Sequence, residues 1–289
     1  MINGFLVVDK EAGMTSHDVV AKARRALGTK RVGHAGTLDP MATGVLVLGV
    51  GAATKLLQYI VDGAKRYEAT IRLGITTVTD DREGEILTTA NTSEVTDEEI
   101  ARVLATFVGD IQQRPSSVSA IKVDGKRAYD LVRSGEKVEL PAREVHIERI
   151  EVLEIRRGEF LEIDIIVDCG AGTYIRAIAR DLGEVLGVGG HLTSLRRTLV
   201  SPFTASDAAK LGDELDLLDT FESIGKVMPT RTLSHDELGE LSFGRPIPAN
   251  ATQGIYAAAS PQGKFAALLE NRESAGKTLA HPTLVAVKE

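Results

Sequence analysis

"GHAGTLDPMATGVLVLGVG", residues 33–51, is the stretch of this sequence that decides how its N-terminal half folds. It joins two glycine-rich turns to an apolar run at 44–51, and such a run between turn residues is typical of a buried strand. Asp39 stands between them, and Pro40 restricts its backbone to extended geometry. Because Asp-Pro is also an ordinary turn dipeptide, Asp39 is either a turn residue or a reactive group on a stiff loop.

Segments on both sides of this stretch alternate like strands or follow a helical period. Residues 159–170 alternate strictly, which predicts a strand with one apolar face made of Leu161, Ile163, Ile165 and Val167. The same reasoning predicts strands at 4–10 and 66–74, and helices at 15–28, 96–110 and 173–187. This mixture predicts an α+β fold, in which helices flank an antiparallel or mixed sheet.

From residue 230 onward the sequence changes to short strand-like segments separated by Gly, Pro and Asn. We therefore predict a larger domain over residues 1–229 and a small β-rich domain over residues 230–289. Within the larger domain, residues 112–146 are rich in turn residues, mixed in charge and without a clear period. A loop of this length inside a compact domain is commonly functional.

The composition excludes several classes of protein. A single cysteine, Cys169, leaves no internal disulfide and no cysteine-based zinc site, and its surroundings favour a small buried residue. No apolar run reaches the ~18 residues of a transmembrane helix, and the N-terminus predicts a strand rather than a signal peptide. We expect a cytoplasmic protein without a membrane anchor. The sequence has no complete phosphate-binding loop, HExxH or GxSxG motif.

The net charge of −7 argues at first against a nucleic-acid partner. Residues 80–110 and 205–240 hold a large excess of acidic residues, however, so the rest of the chain is net positive. Basic clusters lie at 22–31, 65–67, 122–127 and 195–197. They are either solvated surface or a groove for a polyanion, because the local field matters more than the total. Candidate contacts to such a polyanion are Lys65, Arg66, Lys122, Lys126, Arg127, Arg196 and Arg197.

Three polar residues in or near turns remain as candidates for chemistry: Asp39, Tyr67 and Arg176. Each has an ordinary explanation, as a turn residue, a half-buried strand aromatic and a surface cation. Arg176, however, lies in the first turn of the helix predicted at 173–187, where the helix dipole opposes a positive charge. This position predicts a carboxylate partner, and Asp39 is one candidate.

Six blocks of the sequence, in order between residues 4 and 208, resemble the bacterial tRNA pseudouridine synthases that modify uridine 55 in the T loop, the TruB family. The residues after 230 resemble, more weakly, the PUA-like RNA-binding domain of that family. The blocks are "GFLVVDKEAGMTSHDVV", "RVGHAGTLDPMATGVLVLGVGAATK", "KRYEATIRLG", "SAIKVDGKRAYDLVRSGE", "CGAGTYIRAIARDLGEVLG" and "HLTSLRRTLVSPF".

The resemblance implies a role for each matching residue. Asp39 is the catalytic aspartate of the G-T-L-D-P loop, Arg176 pairs with it, and Tyr67 stacks on the target base. Further implied site residues are Tyr174 and Leu195 in the uracil pocket, His34 beside the everted nucleotide, and Lys10 in a structural or RNA-facing role.

The resemblance also assigns residues 112–146 to a thumb segment that clasps the RNA stem-loop. The family commonly has P-P-x-Y-S-A in this segment, whereas this chain has "PSSVSA" at 115–120. The departure removes one aromatic contact to RNA and leaves the residues of the chemistry in place.

The expected function is that of a stand-alone, monomeric isomerase that acts on the T arm of tRNA with no cofactor, metal or protein partner. Asp39 would attack C1′ of the ribose, attack C6 of the ring or remove a proton from C2′. Three alternatives stay open: an RNA-binding or tRNA-folding chaperone, a guide-RNA-dependent synthase, and a glycosidase. The glycosidase needs a second carboxylate about 5–9.5 Å away.

Overall fold

The computed structural model describes residues 2–117, 122–123, 126–127, 140–212, 215–274 and 276–286. Of residues 122–123, 126–127 and 274 it describes the backbone alone. The side chains of Lys122, Lys126 and Arg127 therefore lie outside the described residues, as does most of the predicted thumb segment.

The described helices are α1 (Ser16–Ala26), α2 (Leu57–Val61), α3 (Asp97–Ala105), α4 (Ile175–Val185), α5 (Thr220–Gly225) and α6 (His235–Ser242). The strands in the first half of the chain are β1 (Gly4–Lys10), β2 (Val32–Ala35), β3 (Thr43–Val50), β4 (Lys65–Leu73), β5 (Ile75–Thr77), β6 (Ile86–Thr89), β7 (Gly109–Gln113), β8 (Lys122–Val123) and β9 (Lys126–Arg127). The later strands are β10 (Arg143–Arg157), β11 (Leu161–Cys169), β12 (Gly190–Val200), β13 (Phe203–Thr204), β14 (Ala209–Lys210), β15 (Thr230–Thr232), β16 (Ile247–Pro248), β17 (Ile255–Ala259), β18 (Phe265–Ser274) and β19 (Lys277–Val285).

A ten-stranded sheet forms the larger part of the molecule, with the order β14-β1-β3-β12-β4-β11-β10-β7, β2 on β3 and β13 on β12. Its pairs are antiparallel except β1 with β14 and β3 with β12, which are parallel. The sheet is mixed and helices flank it, so the predicted α+β class is confirmed. Because β12 enters between β3 and β4, it brings the loop before β3 close to the start of β4.

The two faces of this sheet differ in chemistry. One face is buried and apolar. It carries every second residue of β4, from Tyr67 to Leu73, and the predicted apolar face of β11, and it packs in one cluster with α1 and α4. The other face carries ion pairs across the strands, such as Arg72 with Glu162 at 2.7 Å and Arg66 with Asp168 at 2.6 Å. Strand alternation therefore separates core from charged surface, as the sequence pattern predicted for β11.

Most of the predicted elements are confirmed with small shifts of their ends. α1 begins after Thr15, whose side chain accepts from the backbone N–H of Asp18 in a capping box. The helix predicted to run to residue 110 is wrong at its end: α3 stops at Ala105 and β7 begins at Gly109, which has φ of +99°. A positive φ cannot continue a right-handed helix, and glycine adopts it without steric cost.

The sequence pattern missed β10, a strand of 15 residues. Its pairing with β11 shifts register between Ile147 and Arg149 and again between Val152 and Glu154. Such bulges break the alternation of apolar residues that would reveal a strand. The structure also corrects the predicted loop over 112–146, because Gln113 still belongs to β7 and β10 already begins at Arg143.

A second sheet has the order β15-β17-β18-β19-β16 and a small core of its own, including Leu233, Tyr256 and Leu269. Ala257 and Leu268 of this sheet join Phe203 and Ile224 in a buried cluster that links the two sheets. The division of the chain into domains at residues 229 and 230 stays a prediction. None of the described helices is long and apolar enough to cross a membrane.

Candidate active site

A pocket of about 350 Å³ opens where β3, β4, β12 and the start of α4 meet. Its volume lies at the lower end of the range for small-molecule sites. It has the size for one small ring system and its ribose. The residues around it are Gly36, Thr37, Leu38, Asp39, Lys65, Tyr67, Gly172, Thr173, Tyr174, Ile175, Arg176, Leu195 and Arg197.

The loop that carries Asp39 is held on both sides of this residue. Before it, the buried Ser16 hydroxyl accepts from the Leu38 N–H at 2.9 Å and contacts the Leu38 carbonyl oxygen at 3.2 Å. After it, the Pro40 carbonyl accepts from the Lys10 ammonium at 3.2 Å and from the Gly13 N–H at 2.8 Å. The contacts fix the backbone on either side, so the carboxylate of Asp39 has a defined direction.

Arg176, in the first turn of α4, has the carboxylate partner that its position predicted. Its Nε lies 3.0 Å from Oδ2 of Asp39, with the Arg176 side chain 5% and the Asp39 side chain 34% exposed. A buried guanidinium costs several kcal/mol unless carboxylates or carbonyls compensate it (about 3–5 when one partner is removed). The buried Arg176 cation therefore fixes the partly exposed Asp39 carboxylate in the wall of the pocket.

Arg176 also contacts a second carboxylate, Asp81, which no pattern in the sequence revealed. Oδ2 of Asp81 lies 3.4 Å from its Nη1, and the same Nη1 donates to the Thr79 carbonyl at 2.7 Å. Asp81 is 5% exposed, and it accepts from the Thr79 hydroxyl at 2.5 Å and the Glu83 N–H at 3.0 Å. The residue stands in an acidic stretch that resembled solvated surface, and only its pairing with β12 beside Leu192 brings it inside.

Tyr67 lies on the core face of β4 and lines the pocket, with 7% of its surface exposed. It is therefore more buried than a half-exposed strand aromatic. Burial raises the pKa of its hydroxyl, while Arg197 opposes the shift by a hydrogen bond and its charge. At neutral pH the side chain is thus a neutral phenol that presents an aromatic ring and a polar tip.

Lys65 and Arg197, predicted as candidate contacts to a polyanion, are buried under this pocket and not on the outer surface. Arg197 is 1% exposed and donates to the carbonyls of Val45 at 2.8 Å and Gly36 at 3.1 Å. Lys65 is 6% exposed and donates to two carbonyls at 2.8 Å each. Burial lowers the pKa of Lys65. Any contact of theirs with a nucleotide would come from inside the pocket.

The neighbouring candidates Arg66 and Arg196 point away from the pocket and are engaged in ion pairs. Arg66 lies 2.6 Å from Asp168, and Arg196 binds both oxygens of Asp9 at 2.9 Å. Their charges are therefore largely compensated. The exposed basic residues of cluster 22–31 are better placed for a polyanion on the outer surface.

The four remaining predicted residues divide into two groups. Tyr174 and Leu195 line the pocket. His34 packs edge-on against His17, with 5.5 Å between ring centroids, and burial lowers its pKa. Lys10 is fully buried and donates to the carbonyls of Glu11, Met14 and Pro40, contacts that favour the structural one of its two predicted roles.

Cys169 is buried at the end of β11, as predicted, and burial raises its pKa to about 11. Within the described part of the chain, no group of three or more His, Cys, Asp or Glu side chains is arranged to hold a metal ion.

Three family models together match almost the whole chain. The model of the "TruB family pseudouridylate synthase (N terminal domain)" matches residues 24–175. The models "tRNA pseudouridylate synthase B C-terminal domain" and "tRNA Pseudouridine synthase II, C terminal" match residues 176–224 and 228–281. The matched ranges contain the loop of Asp39, the start of α4 and most of the second sheet.

Curated relatives are similar over nearly their full length. The "tRNA pseudouridine synthase B" of Arthrobacter sp. (strain FB24) is 53% identical over 284 residues, covering 93% of either chain. That of Rhodococcus jostii (strain RHA1) is 54% identical over 275 residues, covering 93% of this chain and 90% of the relative. The solved "Structure of H/ACA RNP bound to a substrate RNA containing 2'-deoxyuridine" aligns with a TM-score of 0.71 at 23% identity, over 99% of this chain and 85% of that one. At this identity the likeness concerns the fold.

The family models and the curated relatives thus define the mixed sheet, with its pocket between β4, β12 and α4, as that of a pseudouridine synthase. Within that class, the sequence identity to the relatives and the matched models point to one family. The chain belongs to the TruB family of pseudouridylate synthases, which are isomerases.

Proposed function

We propose that this protein converts uridine to pseudouridine in tRNA, at position 55 of the T loop, with Asp39 as its catalytic residue. The observation that carries the proposal is the carboxylate of Asp39, held 3.0 Å from the buried Arg176 at the mouth of a pocket that Tyr67 also lines. The relatives named tRNA pseudouridine synthase B support the substrate.

The reaction needs the target base outside its stack. Flipping a nucleotide out of a folded loop costs a few kcal/mol, and stacking on an aromatic ring returns about 1–3 kcal/mol. Tyr67 supplies such a ring in the pocket, and Tyr174 and Leu195 supply further walls. A base in the unpaired part of an RNA loop is the substrate that such a pocket accepts most readily.

In the isomerisation, the bond between N1 and C1′ breaks, the uracil turns, and C5 bonds to C1′. The C5 proton leaves and N1 gains a proton, so the product is an isomer and no co-reactant is consumed. The carboxylate of Asp39 acts on the nucleotide as an anion. It attacks C1′, attacks C6 or removes the C2′ proton; the proposal holds for each of these, because all require an ionised carboxylate beside the sugar.

Arg176 and Asp81 provide the electrostatic support for that step. The guanidinium of Arg176 lies 3.0 Å from the Asp39 carboxylate, so its positive charge attracts and orients that group. Asp81 compensates the buried guanidinium from the other side at 3.4 Å, so that Arg176 stays in place while Asp39 reacts. Asp39 is thereby the more exposed of the two carboxylates and faces the pocket.

The proposal extends to how the protein works. It acts as a stand-alone cytoplasmic monomer on the T arm, without guide RNA, protein partner, metal or cofactor, and the second sheet with the thumb segment contributes RNA binding. The relatives named tRNA pseudouridine synthase B support tRNA as the substrate, and the experiment with purified protein tests the stand-alone arrangement.

Purified protein incubated with a T-arm stem-loop transcript tests the proposal, with pseudouridine mapped by position. We expect product at uridine 55 with no added component. Asp39→Asn keeps the shape of the side chain but not its charge, and we expect it to bind the transcript without forming product. Asp236→Asn, at an exposed carboxylate of α6 that does not line the pocket, is the matched control. Product from Asp39→Asn at a rate near that of the wild type would remove the catalytic assignment. RNA folding without any product would instead support the chaperone alternative.

A further inference from the structure

Gln113, the last residue of β7, makes a paired contact with the backbone of Tyr174. Its Oε1 accepts from the Tyr174 N–H at 2.8 Å, and its Nε2 donates to the Tyr174 carbonyl at 3.0 Å. The amide therefore pairs with both polar groups of one peptide residue, as a neighbouring strand would. Gln113 itself is 2% exposed. The two bonds fix which side of the amide is oxygen, since the other orientation would oppose donor to donor.

Tyr174 is the residue from which α4 starts. It is the N-cap of the helix, and its carbonyl also accepts from the Ala177 N–H at 3.1 Å, within the first turn. Tyrosine has no short side-chain oxygen of the kind that usually holds an N-cap in place. The amide of Gln113 thus fixes the backbone two residues before Arg176, whose guanidinium holds Asp39.

A second contact fixes the chain directly after Gln113 to the same helix. Arg180, one turn further along α4 than Arg176, donates to the Arg114 carbonyl at 2.7 Å. Its guanidinium also lies 3.4 Å from Asp80. Because this bond ties the backbone of residue 114 to α4, the side chain of Gln113 is already held opposite Tyr174.

From this geometry we propose that Gln113 is a positioning residue of the active site. Its amide sets the place of Tyr174 in the pocket wall and the first turn of α4, and through them the place of Arg176 relative to Asp39. The effect of Gln113 on rate rests on the proposed function, whereas its effect on the start of α4 rests on the geometry alone. Displacements of about 1 Å in such a site cost up to 100-fold in rate.

The variant Gln113→Glu gives a test that a purely structural residue would not pass. A protonated carboxyl group keeps both bonds, because its O–H donates and its carbonyl accepts, whereas an ionised one faces the Tyr174 carbonyl with a negative charge. Burial raises a carboxyl pKa above its ordinary value of about 4.3. We expect single-turnover rates at saturating transcript about 10–100-fold below the wild type near pH 8, and recovery toward the wild type as the pH falls to about 5.5.

Gln112 is exposed on β7, which the structure places before the loop of the thumb segment, and it offers the matched control. Gln112→Glu should follow the wild-type rate at every pH. Gln113→Met, similar in shape and without a polar group, should be slow at every pH, with transcript affinity and melting temperature close to those of the wild type. Two results would overturn the proposal. In the first, the rate of Gln113→Glu keeps a constant ratio to the wild-type rate across the pH range. In the second, the rate of Gln113→Met equals the wild-type rate.

Hydrogen exchange provides a readout that does not depend on activity. In Gln113→Met, the amides at the start of α4 should exchange about tenfold faster than in the wild type, since the bond to the Tyr174 N–H is gone. In Gln112→Met they should exchange at the wild-type rate. Unchanged exchange in both variants would contradict the proposal even if the wild type forms no pseudouridine, an outcome that concerns the proposed function instead.

Discussion

Asp39 and Asp81 share one guanidinium: Arg176 binds the first through Nε at 3.0 Å and the second through Nη1 at 3.4 Å. The two carboxylates differ in exposure, 34% for the side chain of Asp39 and 5% for that of Asp81. The arginine therefore has a structural partner inside the protein and a second partner at the pocket, the proposed catalytic residue. This arrangement leads to separate predictions for stability and for chemistry.

Replacing the guanidinium should destabilise the fold because it leaves Asp81 as a buried charge. For Arg176→Met we expect the free energy of unfolding to fall by about 3–5 kcal/mol, the cost of breaking a buried pair. Denaturant titration measures this. Asp39→Asn is the comparison: Asp81 and the Thr79 carbonyl still compensate the cation in it, so it should lower stability by less than Arg176→Met does. Equal stability of Arg176→Met and wild type would show that Asp81 does not depend on this cation.

Tyr67 variants separate stacking from hydroxyl chemistry. Tyr67→Phe keeps the aromatic face, so we expect it to retain capture of the flipped base, whereas Tyr67→Ala should weaken it by about 1–3 kcal/mol and lose activity. Melting temperature, transcript affinity and product yield should be measured on the same proteins. If Tyr67→Phe binds and cleaves the glycosidic bond without finishing the product, the hydroxyl takes part in proton transfer. A fully active Tyr67→Ala would exclude Tyr67 from the site.

Binding to RNA should depend on salt through the exposed cluster at 22–31. The logarithm of affinity should fall with the logarithm of salt concentration by roughly 0.7–0.9 for each phosphate contact neutralised. The double variant Lys30→Gln, Arg31→Gln removes two exposed cations and should flatten this slope. Arg66→Gln is the control. Arg66 is already paired with Asp168 at 2.6 Å, so its replacement should leave the slope unchanged. A wild-type slope near zero would contradict an electrostatic interface.

Lys10 should make stability depend on pH in the alkaline range. Burial lowers its pKa from 10.5 to about 8 in the folded protein, although Asp39 opposes the shift. Between these two values the unfolded chain binds more protons than the folded one, so this group makes the fold more stable as the pH rises. In Lys10→Met this contribution is absent. The stability of the wild type relative to Lys10→Met should therefore increase from about pH 8 to 10; a decrease over that range would contradict the shift.

The sequence predicted the elements whose signals are local. The alternation of β11 and the unfavourable dipole at Arg176 both act within a few residues, and each was readable from the sequence. The burial of Lys65 had a local signal as well, because it shares the inward face of β4 with Tyr67. Its positive charge suggested an exposed residue, whereas its position in the alternation of β4 indicated a buried one.

The features that the sequence did not predict depend on distant pairing. β10 was missed because two bulges interrupt its alternation. Asp81 was missed because its burial requires a bridge to Leu192, which is far along the chain. Likewise, the contact between Gln113 and Tyr174 depends on how β7 lies against α4. Periodicity describes neighbours in sequence, so it carries no information on these contacts.

The insertion of β12 between β3 and β4 has a consequence for the order of events during synthesis. The ribosome releases β3 and β4 long before residues 190–200 exist, and until then the two strands have no common neighbour between them. A nascent chain of this length exposes unpaired strand edges, which are sites of mispairing. It also cannot bring Asp39 and Tyr67 to one pocket, so the growing chain should stay inactive toward RNA until its last third has emerged. Contacts over such sequence distances also slow folding.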